Sequence, residues 1–132
     1  MNFKILVAPA SFKEFLSAKE IAKIIEECLR KFNFIVEKAI LSDGGDGFIE
    51  MIKEKFKFDE IKIKVKNPLL DGNLEVCYLF NGDIAVIEYA KVCGLALIPP
   101  ERRNPLNTTS YGVGQVIMSA IKNGAKEVWI GA

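Results

Sequence analysis

The order in which hydrophobic spacing changes along the 132-residue chain constrains its fold most strongly. Residues 3–8 form a short apolar run of the kind found in fully buried strands. Ser17 and Glu20 then form an S-x-x-E capping box, and the apolar residues after it recur at helical spacing. A second apolar run at residues 34–41 is followed by helical spacing at residues 48–56. The first half of the chain therefore predicts the order β-α-β-α.

In the second half, the spacing first changes to the two-residue period of strands. Ile61, Ile63 and Val65 alternate with lysines, which indicates a half-exposed strand. Asn81-Gly82 separates two further alternating runs and predicts a β-hairpin. The spacing then predicts a helix over residues 110–123, with Gly124 suited to the position after its cap, and a last strand over residues 127–130.

These elements predict an α/β fold in one domain. Parallel strands with crossover helices indicate a Rossmann-like sheet with flanking helices, and the antiparallel hairpin either joins that sheet or forms a small lobe beside it. We divide residues 1–132 into a β-α-β-α-β start (residues 1–66), a hairpin region (67–92), and a loop, helix and final strand (93–132).

Composition excludes several classes of function. With 18 basic and 17 acidic residues, the chain lacks the charge expected for binding nucleic acid or an anionic membrane surface. The chain has no histidine, which excludes histidine-based catalysis and metal binding, and its three distant cysteines do not suggest a disulfide framework or a zinc site. Without a signal-peptide core or an apolar stretch of about 20 residues, the sequence predicts a soluble cytoplasmic protein.

The first segment that could take part in binding or catalysis follows the first predicted strand. Ligands in open α/β sheets bind outside the carboxyl ends of strands. There Lys13 could place a positive charge on a phosphate, and Ser11 could donate a hydrogen bond. The alternative is an ordinary loop between a strand and a helix.

The second segment is the glycine-rich loop, residues 42–47, after the second predicted strand. Its two carboxylates, Asp43 and Asp46, would suit Mg²⁺ or the hydroxyls of a small polyol. The spacing matches neither a P-loop nor an EF-hand. Alternatively, Asp46 caps the next helix and the glycines form a tight turn.

The third segment, residues 104–114, contains three consecutive hydroxyl residues, Thr108, Thr109 and Ser110, which we call the hydroxyl run. They lie where the last predicted helix starts, and Gly112 and Gly114 lie in the helix itself. Each helical glycine costs roughly 1 kcal/mol relative to alanine, so a close ligand or close backbone packing is needed to explain them.

Glu88 lies in an apolar strand, where it either reaches a cleft or is exposed by the alternation.

Four blocks in order resemble the glycerate kinase family of the bacterial glycerate 2-kinase type. The family pattern A-P-D-S-F-K-x-x-L-S-A is matched by residues 8–13 and 16–18, and D-G-G-E-G by residues 43–47. The pattern A-V-I-E-x-A-x-x-x-G-L is matched by residues 85–88, 90, 94 and 95, and N-P-x-x-T-T-S-Y-G-x-G by residues 104, 105, 108–112 and 114. The chain departs at Ala10 and Gln115, where the family has acidic residues, and it ends where the family continues into a long C-terminal region.

The resemblance implies ATP-dependent phosphorylation of glycerate to 2-phosphoglycerate with Mg²⁺, on a fold truncated relative to the family. It places Lys13, Asp43 and Asp46 in catalytic roles, the two aspartates also as candidate metal ligands. The residues expected to bind substrate or phosphate are Ser11, Gly44, Gly45, Gly47, Glu88, Asn104, Thr108, Thr109, Ser110 and Gly112.

The expected partners are glycerate and the missing C-terminal region, without nucleic acid or membrane. Self-association through exposed core or sheet edge is a further expectation. We expect the 132 residues alone to be inactive as a kinase. The alternative is a catalytically inactive remnant, or a lobe that binds a small molecule or nucleotide.

Overall fold

The computed structural model describes residues 3–12 and 15–132. Three short 3-10 turns lie between the third and fourth α-helices. The strands and α-helices, in chain order, are β1 Lys4–Val7, α1 Ala18–Arg30, β2 Ile35–Lys38, α2 Phe48–Lys55, β3 Asp59–Lys66, β4 Asn73–Phe80, β5 Ile84–Glu88, α3 Ala90–Cys93, α4 Tyr111–Lys122 and β6 Glu127–Gly131.

The strands confirm the α/β class. In the described part of the chain, β1 and β2 form a parallel pair, and β3-β4-β5-β6 form a four-stranded sheet. The β3-β4 and β4-β5 pairings are antiparallel and the β5-β6 pairing is parallel. The hairpin around Asn81 and Gly82 therefore belongs to a mixed sheet, and the parallel strands form two pairs instead of one continuous sheet.

Hydrogen bonds made by the terminal residues define the start of α1 and the end of α4. At the start of α1, the Ser17 hydroxyl accepts a hydrogen bond from the Glu20 amide (3.2 Å), and the Glu20 carboxylate accepts one from the Ser17 amide (2.8 Å). After α4, Gly124 adopts φ +98°, and the amide of Ala125 donates to the carbonyl of Ala120 (3.0 Å). The predicted capping box and terminal glycine are both confirmed.

Two apolar clusters pack on opposite faces of the four-stranded sheet. Tyr78 and Ile87 belong to the cluster that includes the buried residues of α4, whereas their neighbours Leu79 and Val86 pack with Ile49 and other residues of α2. Because successive residues of a strand point to opposite faces, this division places α4 on one face and α2 on the other. The carboxyl end of β5 therefore lies between the two helical layers.

Strand β1 is less buried than its apolar sequence predicts. Val7 is buried, but Leu6 is 63% exposed. Helix α1 packs against β1 and β2. Since Val7 and Leu6 point to opposite faces of the strand, only one of them faces this cover. The expectation of a fully buried first strand is therefore wrong, because Leu6 is exposed.

Gly112 and Gly114 provide a matched test of close helix packing. A Cβ on Gly112 would lie 2.4 Å from the Lys66 carbonyl oxygen, whereas a Cβ on Gly114 would meet no atom within 4 Å. We expect Gly112→Ala to lower the free energy of unfolding by about 1–3 kcal/mol through overpacking. Gly114→Ala should raise it by roughly 0.5–1 kcal/mol through helix propensity. Urea denaturation of both variants measures these changes, and equal effects of the two substitutions would contradict the packing account.

Candidate functional site

The glycine-rich loop is a compact turn whose own side chains hold it. The Asp43 Oδ1 accepts a hydrogen bond from the Gly45 amide (2.9 Å), and the Ser42 hydroxyl accepts one from the Gly44 amide (3.1 Å). Gly44 has φ +103°, and a Cβ added to it would lie 3.2 Å from the backbone nitrogen and oxygen of Ala132. The loop therefore packs against the end of β6, where a larger residue than glycine would be strained.

Asp46 does not cap the helix that follows the loop. The residue before α2 is Gly47, with φ +87° and no side-chain cap. Asp46 is exposed and lines a cavity of about 350 Å³. The capping alternative for Asp46 is therefore wrong, and the residue lines space that a small molecule could occupy.

Glu88 supplies the hydrogen bonds that α2 lacks at its start. Its carboxylate accepts from the Ile49 amide (2.9 Å) and from the Gly47 amide (3.3 Å), and the residue is 1% exposed. The exposed alternative for Glu88 is therefore wrong. Burial raises the pKa of this carboxyl group, and the hydrogen bond from Ile49 and the charge of Lys91 partly oppose that rise.

Lys91 lies beside this buried carboxylate. Its Nζ is 3.8 Å from Glu88 Oε2 and 2.5 Å from Glu50 Oε1. The hydrogen bond from Lys91 lowers the pKa of Glu50, although burial opposes the shift. One lysine thus interacts with carboxylates from α2 and from the end of β5.

Tyr89 lines two cavities to which the predicted segments contribute. The 350 Å³ cavity is lined by Gly45, Asp46 and Tyr89, among others. The second, of about 150 Å³, is lined by Tyr89 and by residues of the hydroxyl run, including Thr108, Thr109 and Ser110. The glycine-rich loop and the hydroxyl run therefore each line a cavity that Tyr89 also lines.

The hydroxyl run is itself anchored to the turn that follows β3. The Thr109 amide donates to the Pro68 carbonyl (2.9 Å), and the Thr109 hydroxyl accepts from the Tyr111 amide at the start of α4 (3.1 Å). A hydrogen bond with Cys93 and burial raise the pKa of Tyr89, and a hydrogen bond with Ser110 opposes the rise. Tyr89 therefore interacts with two other residues that line the smaller cavity, Cys93 and Ser110.

The remaining predicted residues lie outside these two cavities or outside the described residues. Ser11 is half-buried in the loop after β1. The Asn104 side chain accepts a hydrogen bond from the Leu106 amide (3.0 Å) and begins a short 3-10 turn. Gly112 is buried against β3. Lys13 falls outside the described residues, and the ligand contacts predicted for all four remain predictions.

Sequence reasoning missed Tyr89 and Cys93. Tyr89 directly follows β5, and Cys93 ends α3 one turn later. The rule that ligands bind beyond the carboxyl ends of strands could have identified Tyr89 from its position after the predicted strand. Cys93 had no such indication, because its place in the cavity depends on the short helix after β5.

The structure limits the kind of metal site that the loop can form. Among residues 3–12 and 15–132, no three His, Cys, Asp or Glu side chains are grouped as a metal cage. Mg²⁺ commonly binds one or two carboxylates together with substrate phosphates, so Asp43 and Asp46 still fit that role. In the same residues, no helix is long and apolar enough to cross a membrane.

A larger cavity, of about 690 Å³, lies elsewhere between α4 and β3. Its lining includes Lys64, Gln115 and Met118 and none of the predicted site residues. The two cavities around Tyr89 are smaller, but they combine a carboxylate, hydroxyls and the ends of strands. Chemistry, and not size, therefore favours the cavities around Tyr89 as the candidate site.

Comparison with known proteins gives one consistent family. Residues 5–132 match the model of the glycerate kinase family. The chain is 38% identical over 131 residues to a glycerate kinase of Halalkalibacterium halodurans, covering 96% of this chain and 34% of that protein. It is 37% identical over 132 residues to the glycerate 2-kinase of Escherichia coli, covering 97% of this chain and 34% of that protein.

A solved structure agrees with these sequence matches. A crystal structure of a protein described as a glycerate kinase 2 of Salmonella typhimurium LT2 superposes with a TM-score of 0.67 at 36% identity. The match covers 99% of this chain and 36% of that one. The chain thus spans about a third of the length of the relatives it matches.

Cysteine labelling tests the position of Cys93 in the smaller cavity. Cys93 is half-buried and burial raises the pKa of its thiol, whereas Cys28 is exposed on α1. Because the thiolate is the reactive form, we expect iodoacetamide to modify Cys28 at least about tenfold faster than Cys93 at pH 7.5. Peptide mass spectrometry over time gives both rates. Equal rates at the two cysteines would show that Cys93 is not enclosed as described.

Proposed function

The chain belongs to the glycerate kinase family, and we propose that it forms the N-terminal part of an enzyme that phosphorylates glycerate. The observation that carries this proposal is that the glycine-rich loop and the hydroxyl run line two cavities that share Tyr89. Phosphoryl transfer depends mainly on positioning and charge stabilisation, and such a cleft provides groups for both.

The reaction that we propose moves the γ-phosphoryl group of ATP to the 2-hydroxyl of glycerate. The hydroxyl oxygen forms a bond to the γ-phosphorus, the bond from phosphorus to the ADP oxygen breaks, and the hydroxyl proton passes to a carboxylate. The products are 2-phosphoglycerate and ADP. Bound Mg²⁺ would neutralise phosphate charge during the transfer.

The two aspartates of the loop suit different roles. Asp43 Oδ1 already accepts the Gly45 amide, which fixes the carboxylate in one orientation suited to holding Mg²⁺. In the described part of the chain, Asp46 has no hydrogen-bond or ion-pair partner, and it lines the 350 Å³ cavity. We therefore assign Asp46 as the proton acceptor and Asp43 as a metal ligand.

The hydroxyl run would bind an anionic group of one of the two substrates. Thr108, Thr109 and Ser110 line the smaller cavity, and α4 begins directly after them. Hydroxyls and the amides of a helix N-terminus favour anions, so this side suits a phosphate or the glycerate carboxylate. Lys13 and Ser11 would add a charge and a donor near phosphate.

The departure at Gln115 has a local structural explanation. Its Oε1 accepts a hydrogen bond from the Lys66 amide (2.7 Å), tying α4 to β3. A neutral amide oxygen can fill this acceptor role, so the missing charge does not by itself argue against activity. We find no structural explanation for Ala10 in place of the family aspartate.

The proposed activity needs partners beyond this chain. They are glycerate, Mg-ATP and the region that matches the remaining two-thirds of the relatives. We also propose self-association through exposed apolar side chains such as Leu6 and Trp129. We place the protein in the reducing cytoplasm, in keeping with its three free cysteines.

A coupled ADP-release assay tests this function. The chain is assayed with glycerate and Mg-ATP, alone and co-expressed with the C-terminal region of the E. coli relative. We expect activity only with that region present, and Asp46→Asn should lower kcat by about 100-fold or more through loss of the proton acceptor.

Asp59→Asn is the matched control for this assay. Asp59 is an exposed carboxylate that begins β3, opposite Phe80, at the end of the sheet away from Glu88. It should leave kcat unchanged. If the two fragments co-purify and no ADP is released, the kinase proposal is wrong. Binding of glycerate or nucleotide without turnover would then indicate an inactive binding lobe.

A further inference from the structure

We propose that Glu88 is a positioning residue, which holds the glycine-rich loop at the candidate site through backbone amides and does not contact the substrate. The proposal deepens the function above and rests on it for the role of the loop in phosphoryl transfer. It replaces the expectation that Glu88 binds substrate or phosphate.

The hydrogen bonds of Glu88 join three elements at one point. Its carboxylate, at the end of β5, accepts from the amide of Gly47, the last loop residue, and from that of Ile49, in the first turn of α2. Gly47 has a left-handed backbone, so the chain turns sharply between these two contacts. The loop and the start of α2 are thus fixed to the strand as one unit.

Burial makes this attachment difficult to release. Glu88 is 1% exposed, and a buried carboxylate without partners is strongly destabilising. If the loop moved away, the carboxylate would lose the Gly47 amide while still enclosed by α2 and the sheet. The favourable interaction of a negative charge with a helix N-terminus would be lost as well.

A second contact on the solvent side supports the same attachment. Lys91, in α3, lies 3.8 Å from Glu88 and 2.5 Å from Glu50 of α2. These are the charged groups that face Glu88 from α2 and α3. The lysine balances the buried charge and links α3 to α2 beside the loop.

The cavity lining favours positioning over ligand contact. The 350 Å³ cavity is lined by Tyr89 and Ala90, which directly follow Glu88 in the sequence, but Glu88 is not among its lining residues. The same cavity is lined by Gly45 and Asp46 of the loop that Glu88 holds. Glu88 therefore acts on the site through the loop backbone, and the exposed Asp46 carboxylate is the group it orients.

Amide hydrogen exchange tests this attachment directly. In Glu88→Gln, one amide loses its acceptor because the new NH₂ group cannot accept a hydrogen bond. We expect exchange to become at least about tenfold faster at whichever of Gly47 and Ile49 faces the new NH₂ group, as expected for loss of a hydrogen bond to a charged group. The control is Glu50→Gln, which removes a carboxylate from the same cluster without touching either amide and should leave both rates unchanged. Unchanged rates in Glu88→Gln would overturn the proposal.

A measurement on the unaltered protein applies even if Glu88→Gln fails to fold. The side-chain carbon of Glu88 and the amide protons of Gly47 and Ile49 are followed by NMR as the pH is lowered. We expect all three resonances to change with one midpoint, because protonation removes the charge that both amides contact. Amide resonances that do not follow the carboxyl group would overturn the attachment.

Kinetics separate the positioning role from a merely structural one. With the C-terminal region present, Glu88→Gln should lower kcat by about tenfold and change KM for ATP little, because it disturbs the orientation of the proton acceptor. An unchanged kcat despite faster exchange would refute the link to catalysis. If the unaltered protein shows no kinase activity, the proposed function fails, while the exchange rates still decide whether Glu88 holds the loop.

Discussion

The contact between the buried Glu88 carboxylate and the first amides of α2 is the interaction on which the geometry of the candidate site depends. The sheet alone would fix only the ends of β5 and β6. The glycine-rich loop leads into α2 and needs a separate attachment to reach them. Glu88 provides it from β5, and close packing of Gly44 against Ala132 adds a second contact near β6.

Burial of the Glu88 carboxylate costs free energy of folding. This cost indicates that the position of the carboxylate serves something other than stability. Burial raises the pKa of Glu88, so the folded chain binds a proton at this group more readily than the unfolded chain does. As the pH rises from the ordinary glutamate range through that raised pKa, the contribution of Glu88 to the free energy of unfolding falls. Local costs of this kind tend to occur at functional sites, where placement matters more than stability.

Local chemistry made much of the fold predictable, whereas long-range packing limited what could be known of the site. The Ser17 capping box and Gly124 were predictable because the relevant hydrogen bonds lie within one turn of chain. The alternation around Glu88 allowed both burial and exposure, and only the position of α2 on that face of the sheet decides between them. The exposure of Leu6 depends likewise on which elements cover β1.

Prediction of the candidate site had the same limit, since its local segments could be identified but not their arrangement in space. The sequence identified the glycine-rich loop and the hydroxyl run as separate candidates, because each is a local cluster of glycine and aspartate or of threonine and serine. Their meeting at Tyr89 could not be predicted, since it requires the register of β5 and β6 and the path of the chain through α3. The resemblance to a family identified the blocks but gave no distances between them.

The central claim is that these two segments bind one ligand together, and an NMR titration of backbone amides tests it most directly. Mg-ATP and glycerate are added while the amides of residues 45–47 and 108–112 are followed. The account predicts that both segments shift with a single common dissociation constant. A shift confined to one segment, or two unrelated constants, would contradict it.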